Sequence, residues 1–100
     1  MNMQAMLKQA QKLQKDMMKA QDELNNKIFE SKNSMVSIKM SGNYEVKEIK
    51  ILLEEADADD IEMLNDALCA CMNTIINQIK DETETKMGAY TKGLSGTGLF

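Results

Sequence analysis

Met3, Met6, Ala10, Leu13, Met17, Ala20 and Leu24 recur at intervals of three and four residues along the first quarter of the chain. This is a heptad seam, the pattern of a long helix that packs along another helix. It predicts a helix over residues 3–26, ~36 Å long at about 1.5 Å per residue. With Met3 at position a, Lys8, Lys12, Lys15 and Lys19 all fall at c and f, away from the seam. One helix thus offers an apolar edge to protein and a positive edge to something else.

The period changes after Asn25-Asn26, a pair that weakens the helix end. Ile28 and Phe29 supply the apolar content of a short strand over 27–31, and Lys32-Asn33-Ser34 reads as a turn. Val36, Ile38 and Met40 alternate with Ser37 and Lys39, predicting a half-buried strand over 35–41. Ser41-Gly42-Asn43 is a tight turn in which Gly42 is free to take positive φ. The third strand, 44–52, places Tyr44 and Val46, then Ile49 and Ile51, with the phase slipping by one at Lys47-Glu48. A β-bulge there keeps both pairs on the core side.

Acids at 54, 55, 57, 59, 60 and 62 precede and open a second helix over 59–87. Asp57 or Asp59 caps it, and acids in the first turn suit the positive end of the helix dipole. Ile61, Leu64, Leu68, Cys71, Met72, Ile75 and Ile79 form its buried stripe. Met87-Gly88 predicts its stop, and residues 88–100, with four of the five glycines, read as a flexible tail. The fold class is therefore α+β, one domain over 1–87: long helix, three-stranded antiparallel sheet, long helix.

Strands of about eight residues span only ~26 Å, so the first helix overhangs the sheet and exposes its seam. A second copy related by a two-fold axis covers such a seam. The predicted interface is Met3, Met6, Ala10, Leu13 and Met17, in a homodimer with the first helices paired in coiled-coil fashion as projecting arms.

Charge sharpens this division. Residues 1–27 hold five lysines against three acids, net +2; the remainder holds seven against thirteen, net −6, giving the overall −4. An interaction arm on an acidic body fits this asymmetry, although nucleic-acid binders are usually basic overall. No apolar run approaches the ~20 residues of a membrane span, so no membrane partner is expected. The N-terminus lacks a signal core, and Cys69 and Cys71 point to different sides of a helix, the pattern of reduced thiols in the cytoplasm.

The lysine row supports two readings. As a solvated face it would pair Lys12 with Asp16 and Lys19 with Glu23, each worth a few tenths of a kcal/mol, about 0.2–0.5. As an anion site it would relieve the crowding of Lys8–Lys12, Lys12–Lys15 and Lys15–Lys19. Lysine lacks the fork that reads guanine, so it would hold phosphates and not bases. Glutamines 4, 11, 14 and 21 would add hydrogen bonds to phosphate or sugar. Eight such lysines in a dimer limit the log–log salt slope to about −7.

Other chemistry is weaker. The acidic run departs from a calcium loop, with Ile61 at a ligand position and Glu62 in place of the required glycine. Cys69, Cys71 and Met72 lack the partners of a metal site. Gly93-x-x-Gly96-x-Gly98 follows a helix and so cannot cradle a phosphate at a helix start. No histidine-assisted nucleophile exists. Neither an enzyme nor a cofactor is expected.

The stretch from Met3 to Lys15, MQAMLKQAQKLQK, resembles the opening of the YbaB/EbfC nucleoid-associated proteins. Met40 to Lys47 resembles their central hairpin, and Asn73, Lys86-Met87-Gly88, Gly93-Leu94 and Gly98-Leu99-Phe100 also fit. Residues 27–34 depart from the usual glycine-containing linker. The resemblance covers essentially the whole chain. It implies a bacterial cytoplasmic protein of the nucleoid, a tweezer-like homodimer, and double-stranded DNA as partner. Lys8, Lys12, Lys15 and Lys19 are its expected phosphate contacts. The rival expectation is a protein-interaction module, gripping for instance a DNA-processing protein, with DNA incidental.

Overall fold

A computed structural model describes residues 2–96. Its order is α1 (Met3–Asn26), β1 (Ile28–Lys32), β2 (Val36–Ser41), β3 (Val46–Ile51) and α2 (Ala58–Gly96). The predicted α+β order, helix, three antiparallel strands and helix, is what the chain adopts, with strands in the order β1-β2-β3.

Local chemistry sets the element ends. Asn2 caps α1, its side-chain oxygen accepting from the Gln4 amide at 3.0 Å. The Asn33 side chain closes the β1–β2 turn by accepting from the Met35 and Val36 amides at 3.0 Å each. Its amide group also donates to the Ala67 carbonyl at 2.9 Å, tying that turn to α2.

The β2–β3 turn differs from expectation. Tyr44 N donates to the Ser41 carbonyl, and it is Tyr44 that takes positive φ, 65°. Gly42 serves another purpose. A Cβ there would lie 1.8 Å from the Leu24 carbonyl oxygen, so glycine lets the foot of α1 pass over the turn. The bulge falls where the phase slips: Lys39 faces Glu48 and Met40 faces Val46, leaving Lys47 as the extra residue.

The core joins Leu24 of α1, Phe29, Val36, Ile38 and Met40 of the sheet, and Cys71, Ile75 and Ile79 of α2. The Cys71 thiol donates to the Ser31 carbonyl at 3.1 Å, while Cys69 is exposed, and both are free. α2 packs on β1 and β2 but not on β3. Geometry explains this: a helix is about 10 Å wide, and strands lie about 4.8 Å apart, so one helix covers two strands. Val46, Ile49 and Ile51 stand opposite the buried Met40, Ile38 and Val36, on the same sheet face. They nevertheless remain 43%, 46% and 58% exposed.

One departure concerns the second helix. α2 does not stop at Met87-Gly88 but continues to Gly96. A glycine inside a helix costs only ~1 kcal/mol, and no proline exists to end the run. Of the predicted tail, residues 97–100 lie outside the described residues. In α1 only Ala20 and Leu24 are buried, so the helix leaves the sheet after two turns and projects. The molecule is accordingly elongated, 71 × 18 × 14 Å.

Candidate nucleic-acid interface

The projecting part of α1 carries the lysine row. At about 100° per residue, Lys8, Lys12, Lys15 and Lys19 fall within an arc of roughly 60°, nearly opposite the seam. From the first to the last is ~16 Å of helix rise. All four side chains are exposed. Among the described residues the ion pairs are Lys27–Glu82, Lys39–Glu48, Lys47–Glu45 and Lys50–Glu48. None of the four arm lysines takes part. Asp16 and Glu23 thus leave their i,i+4 lysines unpaired, as expected of pairs in the less favourable order, lysine before acid.

The foot of the arm is fixed to the body. Lys27 Nζ lies 2.5 Å from Glu82 Oε1 and 5.1 Å from the centre of the Phe29 ring. This holds the last turn of α1 against the middle of α2, and the row begins two turns further out. The acids that open α2 lie toward the other end of that helix from Glu82.

Of the residues predicted for the dimer interface, Met3 and Met6 are 83% and 46% exposed, while Ala10, Leu13 and Met17 are half-buried. The seam is thus divided. Its base, Ala20 and Leu24, is consumed by the protomer itself, and its tip is open. Sequence reasoning missed a second apolar surface, Val46, Ile49 and Ile51 followed by Leu52, and it placed Ile61 in the buried stripe of α2 although that residue is 54% exposed. The widths of one helix and three strands, compared, were the signal that could have found that surface.

The acids before α2 have a structural use. Asp57 Oδ1 accepts from the Asp59 and Asp60 amides at 3.0 Å each, and Asp60 Oδ2 accepts from the Asp57 amide at 3.1 Å. This is a reciprocal capping box, with aspartate in both places. No cluster of metal-ligating side chains occurs among the described residues, and none of their helices is long and apolar enough to cross a membrane.

A small α+β body thus carries, among the described residues, an exposed helix face of four lysines free of ion pairs. The chain belongs to the YbaB/EbfC DNA-binding family, which it matches over residues 1–94. That family is one of DNA binders, not of enzymes. The chain is 46% identical to a nucleoid-associated protein of Oceanobacillus iheyensis, covering 99% of this chain and 97% of that one. It is 41% identical to a nucleoid-associated protein of Ligilactobacillus salivarius, covering 96% and 94%. An uncharacterised protein of Helicobacter pylori shares the fold at a TM-score of 0.65 and 18% identity, over 100% of this chain and 99% of that one.

Proposed function

We propose that this chain is a bacterial nucleoid-associated protein that binds double-stranded DNA as a homodimer, without catalysis, in the cytoplasm at the nucleoid. The observation that carries the reading is the row Lys8, Lys12, Lys15 and Lys19, exposed and, among the described residues, free of ion pairs on the projecting part of α1. Such a row meets phosphates spaced along a duplex and gives little base readout, because lysine is a flexible point charge. The names of its relatives and of its family point the same way.

A homodimer accounts for the uncovered inner face of β3. Val46, Ile49 and Ile51 form a strip one strand wide beside the protomer's own α2, a fit for an apolar helix from a second copy. We place the main joint there. The open seam tip at Met3 and Met6 then lies beyond the joint, and Ala10, Leu13 and Met17 are shared between the arm's own packing and any contact between arms. Two arms bring eight lysines to one duplex.

The test is a gel-shift titration across ionic strengths with the quadruple variant Lys8→Gln, Lys12→Gln, Lys15→Gln and Lys19→Gln. The wild type should show a steep salt dependence, with a log–log slope no greater than about −7. The variant should keep its helix content and mass yet lose the shift. Unchanged affinity in a folded variant rejects the assignment. A salt-insensitive protein partner co-purifying with the chain would favour the interaction-module alternative.

A further inference from the structure

The two flanks of the lysine row are chemically unlike. On one side, between row and seam, lie Gln4, Gln11 and Gln14 together with Leu7 and Met18. On the other lie Gln9, Asp16 and Glu23. Leu7 and Met18 are 60% and 62% exposed although they belong neither to the seam nor to the core. The three glutamine side chains are exposed, and no hydrogen bond engages them among the described residues. Gln21, next along, is already spent on Asn25, donating at 2.8 Å. Asp22 is the single acid on the glutamine side, and it lies past the last lysine, at the foot of the arm.

We infer that the duplex lies over the glutamine flank of the arm and not over its acidic flank, an assignment that rests on the DNA-binding reading above. A helix centred on its lysine row would meet phosphates with acids along one edge, and each acid would repel the backbone it approached. Rolled toward the glutamines, the same helix keeps all four ammonium groups at the phosphates. It brings three neutral amides to phosphate and sugar oxygens, and it turns Asp16 and Glu23 to solvent. Leu7 and Met18, 11 positions apart on one side of the helix, then rest on deoxyribose, the apolar part of the backbone. An α-helix is too wide for the minor groove, ~6 Å across, so these two side chains are contacts on the groove wall and not wedges between bases.

Matched charge additions on the two flanks test this. Gln11→Glu and Gln9→Glu add the same charge, each within one helical turn of Lys8 and Lys12. Binding of a labelled mixed-sequence duplex is followed by anisotropy across ionic strengths, with circular dichroism and mass confirming the fold. Gln11→Glu should weaken binding about tenfold, and Gln9→Glu by less than about twofold. The double variant Leu7→Ala, Met18→Ala should lower affinity about equally at every salt concentration without changing the slope, because counterion release counts charges and not apolar contacts. Equal weakening by the two glutamates, or unchanged affinity in the double alanine variant, overturns the inference while leaving DNA binding intact. A wild-type chain that binds no duplex removes the functional reading itself.

Discussion

A methyl group at residue 42 would sit 1.8 Å from the Leu24 carbonyl oxygen and 2.6 Å from its carbonyl carbon, both backbone atoms that cannot swing aside. At residue 88 a methyl group would meet nothing within 4 Å. The same substitution should therefore act in opposite directions. Gly42→Ala pushes α1 off the turn and should destabilise by about 1–3 kcal/mol, the usual range for overpacking. Gly88→Ala removes backbone freedom inside α2 and should stabilise by about 0.5–1 kcal/mol. Urea unfolding of the two variants beside the wild type measures both. Equal midpoints for all three would mean that α1 does not rest on the turn. Tyr44 shows that the hairpin does not use its glycine for positive φ, which falls to a residue seldom found there.

At the level of elements, the start of α2 depends on Asp57 and Asp60 serving each other's amides. Asp57→Ala removes the acceptor of two of those hydrogen bonds and should cost about 1 kcal/mol, read as a lowered urea midpoint; no loss would demote the capping box to a surface detail. This part was legible, since acids clustered ahead of an apolar stripe announce a helix start. The seam of α1, the alternation of Val36, Ile38 and Met40, and the slip at Lys47 were legible for the same reason: each is a local period. The end of α2 was not, because Met87-Gly88 resembles a stop only if the next residues leave the helix, and nothing local forces them to. Nor was the exposure of Ile49. Its pattern says which face it occupies, whereas its covering depends on how many strands one helix can span. The lysine row could be placed on the wheel from sequence, but its freedom from Asp16 and Glu23 depends on where the side chains settle in the folded chain.

Among the described residues, both the seam tip at Met6 and the β3 face at Ile49 leave apolar surface uncovered, and one substitution at each decides between them as the joint. Ile49 is 46% exposed and Met6 likewise 46% in the single chain, so a lysine at either should cost a lone protomer little. In a dimer joined over β3, Ile49→Lys would place two charges in a dry joint, where desolvation far outweighs any gain. Sedimentation at micromolar concentration should then give one chain's mass for Ile49→Lys and two for Met6→Lys. DNA binding follows the mass: a separated protomer brings four arm lysines where the pair brings eight, so its salt slope should fall to about half. The opposite pattern, with Met6→Lys dissociating and Ile49→Lys intact, would move the joint to the arms. The lysine rows would then run back to back along one rod instead of standing on separate arms, and a single duplex could reach only one of them.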